Sequence, residues 1–148
     1  MITVILRASD DAAALGRLLA ALTPGAVDGL VRDVAVLGAT GPGAAFADEA
    51  GATLYPVTAF ADAVADARGE WLAAIPLPSA LATDWIAQLA AHVARQPGRS
   101  ARLTAPGLFA PGRKGWLVPK PLAASAGEQD LQRLARRSGL RLAVLRRS

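Results

Sequence analysis

The sequence predicts an α/β protein with three layers, in which helices cover both faces of a mainly parallel sheet. Residues 2–6 form an unbroken apolar run with β-branched members, which is typical of a strand buried on both faces of a parallel sheet. Leu15, Leu18, Leu19 and Leu22 then recur at helical spacing and define one buried helix face. Because strand-like and helix-like segments continue to alternate, right-handed crossovers are expected between parallel strands.

The other elements follow from the same patterns in chain order. Ser9 is a suitable N-cap for the first helix, and Thr23-Pro24-Gly25 is expected to end it. Apolar runs predict strands at 31–37, 52–55 and 70–75, separated by a loop at 38–43 and helices at 44–50 and 58–68. Beyond these we expect a helix from residue 83 or 84, short strands at 101–105 and 116–118, a helix over 127–138 and a strand over 140–145. The tryptophans are expected in the core and His92 on the surface.

Composition limits the kinds of site available. The 148 residues are 53% hydrophobic and 19% charged, which favours one folded domain with a substantial core. The absence of cysteine excludes disulfides and thiolate metal sites, and a single histidine argues against a zinc site. No apolar run has the length of a membrane span, and no basic leader is evident, so the expected location is the cytoplasm. The abundance of Ala, Arg, Gly and Pro suggests a GC-rich bacterial genome.

Charge divides the domain into two halves. Residues 1–94 carry four arginines against ten acids, a net charge of −6, whereas residues 95–148 carry twelve basic side chains against two acids, a net charge of +10. The basic half suits an anionic partner such as a nucleotide diphosphate or a phospholipid surface. A solvated basic face that keeps the protein soluble explains the same pattern. Nucleic acid is not expected, because no nucleic-acid-binding motif is present.

Residues 67–78 read ARGEWLAAIPLP, which resembles the A-R-G-x-W-L-x-x-L-D-A-D strand of family-2 glycosyltransferases. The resemblance implies a GT-A fold whose first four strands are ordered 3-2-1-4, with Arg7, Gly38 and Pro76 near the carboxyl edge. In that family the paired aspartates hold the metal that binds the nucleotide-sugar diphosphate. Here Pro76 and Pro78 occupy those positions, and proline supplies no side-chain oxygen ligand. The sequence therefore predicts no metal site and no cofactor.

The ends of the first two strands extend the resemblance. Residues 4–11 read VILRASDD and resemble the family opening V-I-I-P-x-x-N-E/D, which implies nucleoside contacts from Arg7, Ser9 and Asp10. Gly38 falls where the family has a base-recognising aspartate, so that contact is missing. Gly38 remains a candidate ligand-binding residue, because the Gly-rich loop that it begins can bind phosphate through backbone N–H groups. The alternatives are that Asp10 and Asp11 only begin a helix and that 38–43 is a simple tight turn.

The basic half carries the remaining candidate residues. Residues 127–134 resemble the family's E-D-x-D-L…R-L segment, which implies that Glu128 or Asp130 is the general base. Helix capping and charge balance with Arg133 are the alternative. Arg113, Lys114 and Lys120 lie in a stretch that resembles G-x-Q-G-x-x-x-R and are candidate diphosphate contacts, although a solvated loop explains them equally well.

These observations predict a single domain over 1–148, with a nucleotide-binding-like half at 1–95 and a shortened basic acceptor-side half at 96–148. The first functional hypothesis is a truncated, degenerate glycosyltransferase that serves as a binding or regulatory module for a nucleotide, a nucleotide sugar or a protein partner. The second is a metal-independent glycosyltransferase in which basic side chains replace the cation. The third is a basic surface that binds anionic lipid or nucleic acid, with a peripheral membrane location in the case of lipid.

Overall fold

The computed structural model describes residues 1–105, 115–124 and 126–146. The strands in these ranges are β1 (Ile2–Arg7), β2 (Val31–Leu37), β3 (Thr53–Tyr55), β4 (Trp71–Ala74), β5 (Ala80–Leu81), β6 (Ala101–Leu103), β7 (Gly115–Pro119), β8 (Arg141–Leu142) and β9 (Leu145–Arg146). The helices are α1 (Ala12–Val27), α2 (Gly41–Glu49), α3 (Phe60–Asp66), α4 (Trp85–Arg95), α5 (Lys120–Ala123) and α6 (Glu128–Arg137).

The main sheet has the strand order β3-β2-β1-β4-β7-β6-β8. Strand β1 pairs in parallel with β2 and β4, and β2 pairs in parallel with β3, which confirms the predicted order of the first four strands. Strand β7 then runs antiparallel to both β4 and β6, while β8 is parallel to β6. The sheet is therefore mainly parallel, as predicted, and a separate ribbon pairs β5 with β9.

Side chains alternate across β1 into two apolar cores, one on each face of the sheet. Val4 and Leu6 join α1, α2, α4 and the β5–β9 ribbon on the first face. Ile5 joins α3, α5 and α6 on the second face. This alternation is the period-two pattern of a strand, and the two cores account for the three-layer architecture.

Helix α1 differs from its prediction at both ends. Its N-cap is Asp11, whose carboxylate accepts a hydrogen bond from the Ala14 N–H at 3.0 Å, rather than Ser9. Pro24 does not stop the helix, which continues to Val27. Gly25 packs so closely against Trp85 that a β-carbon on it would lie 2.3 Å from the ring. This packing outweighs the helix-ending tendency of Pro24 and Gly25.

The prediction for His92 was wrong. The side chain is 5% exposed, its Nε2 lies 2.7 Å from the Arg99 carbonyl oxygen, and its ring meets Trp71 edge-on. The three tryptophans are buried, as predicted. The sequence pattern also missed β5 and α5, and it merged β8 and β9 into one strand. No helix in the described ranges is both long and apolar enough to cross a membrane.

Candidate functional site

Arg7 and Glu128 form an ion pair at the carboxyl edge of the parallel strands. Arg7 ends β1, and its Nε lies 3.1 Å from both carboxylate oxygens of Glu128, the first residue of α6. Nη2 of Arg7 lies 2.5 Å from Oε2, and Nη1 donates to the Val57 carbonyl oxygen at 3.1 Å. This fork-like contact brings together two predicted site residues that are 121 positions apart in sequence.

The electrostatics of this pair favour its charged form. The hydrogen bond to Glu128 raises the pKa of Arg7 above its ordinary value, against an opposing effect of desolvation. Both oxygens of the Glu128 carboxylate accept hydrogen bonds from the guanidinium. Arg7 therefore holds the Glu128 carboxylate in place, and a substrate hydroxyl would have to share this carboxylate with the guanidinium.

Ser9 and Asp10 follow the end of β1 in an exposed loop. The Ser9 hydroxyl oxygen accepts a hydrogen bond from the Asp11 N–H at 3.3 Å, so Ser9 supports the turn that leads into α1. The Asp10 side chain is exposed and has no hydrogen bond to any described residue. Asp10 is thus a carboxylate at this edge that remains available to a ligand.

Gly38 directly follows β2 and has a left-handed conformation, with φ of +76°. Its N–H donates to the Tyr55 carbonyl oxygen at 2.8 Å. A β-carbon at this position would lie 3.2 Å from Cβ of Val57, so an aspartate here would meet both backbone strain and crowding. The turn observed at Gly38 therefore explains the glycine without a ligand.

Asp130 acts at the beginning of α6. Its Oδ2 accepts a hydrogen bond from the Gly127 N–H at 3.2 Å, and its Oδ1 lies 3.7 Å from Nη1 of Arg133. The Asp130 and Arg133 side chains are 58% and 64% exposed. These contacts are those of a helix-capping acid with an i,i+3 partner.

Lys120 lies near the amino-terminal ends of the parallel strands, whereas Arg7 lies at their carboxyl ends. The residue before it, Pro119, pairs with Trp71 at the first position of β4. The Lys120 ammonium donates to the carbonyl oxygens of Ala67 at 2.5 Å and Ala65 at 3.4 Å, at the C-terminal end of α3. It therefore caps that helix and does not join Arg7, Ser9, Asp10 and Gly38. Arg113 and Lys114 lie outside the described residues.

Comparison with solved structures finds glucosyl-3-phosphoglycerate synthase from Mycobacterium tuberculosis. Its complex with Mn²⁺, UDP and glucosyl-3-phosphoglycerate has a TM-score of 0.70 and 17% identity, over 100% of this chain and 72% of that one. Its complex with Mn²⁺ and UDP-glucose has a TM-score of 0.66 and 18% identity, over 85% and 58%. Its complex with phosphoglyceric acid has a TM-score of 0.64 and 17% identity, over 82% and 57%. No family model and no curated protein matches the sequence.

The chain has the GT-A glycosyltransferase fold. It spans 57% to 72% of the length of the synthase structures compared above.

Within this GT-A fold, Pro76 and Pro78 directly follow β4 at the carboxyl edge. The Ile75 N–H, just before them, donates to the Ile5 carbonyl oxygen, so this segment leaves the sheet beside β1. Neither pyrrolidine ring offers an oxygen or nitrogen ligand. The described ranges contain no group of three or more His, Cys, Asp or Glu side chains that could hold a metal ion.

The GT-A fold here also carries a cavity that the sequence did not indicate. It has a volume of about 430 Å³ and lies between α1 and the β5–β9 ribbon, next to the segment that follows Pro78. Arg17, Ser79 and Arg146 supply its polar groups, and Leu18 and Leu81 are among its apolar ones. Its size is within the range of small-molecule sites. No local motif marks these residues, because the cavity forms only when the ribbon packs against α1.

Proposed function

We propose that this chain is a GT-A-like binding module that recognises a nucleotide or nucleotide sugar at its carboxyl edge and does not transfer the sugar. The observation that carries the proposal is the ion pair between Arg7 and Glu128. It occupies the end of β1, and it engages the carboxylate that the family resemblance assigns to the base. The expected setting is the cytoplasm of a bacterium.

The absence of a sugar-transfer step is supported by two further features. Sugar transfer from a nucleotide donor requires stabilisation of the negative charge that develops on the leaving diphosphate. Pro76 and Pro78 stand where the family has its metal-binding aspartates, so this support is missing from the end of β4. Asp130, the other candidate base, is engaged as a helix cap by the Gly127 N–H.

Ligand binding is supported by the position of the edge and by its unused polar groups. Open α/β sheets bind ligands outside the carboxyl ends of their strands. Asp10 lies there with its carboxylate free of described partners, and the 430 Å³ cavity opens beside the neighbouring segment. The solved synthase structures of this fold include complexes with UDP and UDP-glucose, which makes uridine nucleotides the first ligands to test.

The test combines calorimetry with a product assay. UDP and UDP-glucose are titrated into the protein and into Asp10→Ala, and release of UDP and glucose from UDP-glucose is followed over hours. Asp28→Ala is the matched control, because Asp28 is another exposed acid but flanks the opposite end of α1. We expect saturable UDP binding, at least fivefold weaker in Asp10→Ala and unchanged in Asp28→Ala, with no product. The lack of any nucleotide binding, or catalytic turnover of UDP-glucose, would contradict the proposal.

A metal-independent glycosyltransferase is the second candidate, and Arg7 is the observation that favours it. Its guanidinium lies at the carboxyl edge, where it could bind a diphosphate in place of a metal ion. That role would release Glu128 from Arg7 and leave its carboxylate free to act as a base. The distinguishing result is sugar transfer or hydrolysis that persists in EDTA and is lost in Glu128→Gln. Lys120 adds no support, because it lies near the amino-terminal ends of the parallel strands.

A basic surface is the third candidate. Arg133 and Arg137 are exposed on α6, in the half of the chain that carries the net positive charge. Such a surface suits peripheral association with anionic lipid, although a few charges bind weakly. Co-sedimentation with vesicles of phosphatidylcholine, with and without phosphatidylserine, tests this candidate directly. Binding that requires phosphatidylserine and is lost in Arg133→Gln/Arg137→Gln would favour it.

A further inference from the structure

A second, smaller cavity lies between α6 and the strands β6 and β7, on the far side of β4 from β1 and its Arg7. Its volume is about 110 Å³. Among the described residues, Arg102, Thr104, Gln132 and Arg136 are the polar side chains at the cavity, and Trp116 also lines it. The cavity is too small for a nucleotide but suits a single compact polar group.

Arg102 has an unusual environment in this cavity. Its Nε is buried and has no hydrogen-bond partner. The main-chain N–H of Arg102 is satisfied by the Leu140 carbonyl oxygen at 2.9 Å, so the unmet donor belongs to the side chain alone. Buried donors in native proteins are almost always paired with protein, water or a ligand. The side chain therefore points to an acceptor that the described residues do not provide.

The charges around Arg102 indicate the sign of that acceptor. Strand β8 pairs with β6 so that Arg141 lies in register with Arg102, on the same face of the sheet. Arg136 adds a third guanidinium from α6. The two acids of the basic half are engaged elsewhere, since Glu128 pairs with Arg7 and Asp130 caps α6. No acid is among the described residues that line this cavity, and like charges directly opposite each other on neighbouring strands are destabilising unless an anion lies between them.

We propose that this cavity binds a phosphate group, either as inorganic phosphate or as the phosphate of a small monoester. The guanidinium of Arg102 would donate from Nε and a terminal nitrogen, which is the fork geometry that matches two phosphate oxygens. Arg136 would donate to another oxygen, and the Gln132 amide and Thr104 hydroxyl supply neutral donors. The lining of this cavity includes neither Arg7 nor Glu128, although its Gln132 lies one helical turn from Glu128, and the proposal does not depend on the proposed nucleotide site.

The test is calorimetric titration with inorganic phosphate and, separately, with glycerol 3-phosphate, in buffers of equal ionic strength made up with sodium chloride. Arg102→Met keeps most of the stem volume but removes the buried donor, and Arg136→Gln removes the second cation. Arg137→Gln is the matched control, because it removes a neighbouring arginine of α6 that does not line the cavity. We expect one site per chain, with affinity at least tenfold weaker in Arg102→Met and at least threefold weaker in Arg136→Gln, and unchanged in Arg137→Gln.

Thermal unfolding provides a second readout that does not depend on a detectable binding heat. Phosphate should raise the Tm of the parent protein but not that of Arg102→Met, whose Tm without phosphate should equal or exceed that of the parent. Tighter binding of glycerol 3-phosphate than of inorganic phosphate would identify a monoester as the ligand, and the reverse would identify the free ion. The proposal is overturned by the absence of saturable binding, or by equal losses in Arg136→Gln and Arg137→Gln. Asp10→Ala, which should weaken UDP binding, should keep the phosphate affinity of the parent protein, so a failure of one proposal can be distinguished from a failure of the other.

Discussion

Arg7 at the end of β1 holds both carboxylate oxygens of Glu128 at the first turn of α6, and so connects the centre of the sheet to a helix on one of its faces. A double-mutant cycle with Arg7→Gln and Glu128→Gln measures the energy of this contact. We expect a coupling of about 1 kcal/mol from urea unfolding, because the forked geometry strengthens a pair whose Arg7 side chain is 44% exposed and thus screened by solvent.

The pair between Arg133 and Asp130 is the matched control for this cycle. It is longer, at 3.7 Å, and both side chains are more exposed. Its coupling should be about 0.3 kcal/mol and should disappear in 0.5 M salt. Equal couplings for the two pairs would show that Arg7 and Glu128 are no more than an ordinary surface contact.

Asp130→Asn should lower the free energy of unfolding without changing ligand binding or any turnover. The carboxylate accepts a hydrogen bond from the Gly127 N–H, and loss of a capping group costs about 1 kcal/mol. Removal of a positioned base would instead cost roughly 10²–10⁴-fold in rate. Urea unfolding and a UDP-glucose assay, run on Asp130→Asn and Glu128→Gln together, distinguish the two roles. A rate loss of that size in Asp130→Asn at unchanged stability would restore it as the base.

Lys120→Met should destabilise the protein by about 0.5–1 kcal/mol and leave nucleotide affinity unchanged. The ammonium donates to the Ala65 and Ala67 carbonyl oxygens, where a positive charge also stabilises the C-terminal end of α3. Chemical denaturation and UDP titration of the variant are the measurements. A clear loss of UDP affinity would mean that the diphosphate binds near Lys120, at the amino-terminal ends of the parallel strands.

Tyr55 should titrate at unusually high pH. Desolvation, followed by its hydrogen bond to Asp66 and the negative charges of Asp66, Asp33 and Asp62, raises the pKa of Tyr55 to about 12. The folded protein therefore retains this proton at pH values where the unfolded chain has lost it, so the associated stability is present below pH 10 and falls as pH rises toward 12. Because Tyr55 is the only tyrosine, absorbance at about 295 nm reports it directly. A midpoint near that of the unfolded chain would contradict this expectation, and Tyr55→Phe should remove the pH dependence.

No specific Mn²⁺ or Mg²⁺ site should form, with or without nucleotide. Proline at positions 76 and 78 supplies no ligand, and hard cations need several oxygen ligands. Titration of Mn²⁺ into the protein in the presence of UDP or GDP is the measurement, with the nucleotide alone as the blank. A stoichiometric response that EDTA reverses would show that ligands are recruited elsewhere, with Asp84 and Asp130 the first to replace by alanine.

The parts of the fold that the sequence predicted well are those whose signal is local and repeated. The run at 2–6 and the spacing of the α1 leucines each encode burial directly, and both elements occur as expected. The A-R-G-x-W match also has a physical basis in Gly69. Its N–H donates to the Thr3 hydroxyl at 2.9 Å, and a β-carbon would lie 2.5 Å from the Thr3 nitrogen. Any larger residue at Gly69 would push β4 away from β1.

The parts that the sequence missed depend on contacts distant in the chain or with the backbone. His92 can be buried because its ring nitrogen is paired with the Arg99 carbonyl oxygen. A backbone acceptor can belong to any residue type, so no sequence motif indicates it. Arg7 and Glu128 come into contact only because the folded sheet brings the end of β1 close to the start of α6. Lys120 lies at the other end of the strands because β7 runs antiparallel to β4. Each site residue was therefore proposed from the family resemblance, while its neighbours became known only from the fold.

Pro76 and Pro78 lie beyond the last paired residue of β4, outside the ladder that holds the sheet together. A change of side chain at either position leaves the pairing of β4 with β1 and β7 intact, because neither residue belongs to those ladders. The strand order of a GT-A sheet and the chemical groups at the carboxyl end of this strand can therefore vary independently of each other.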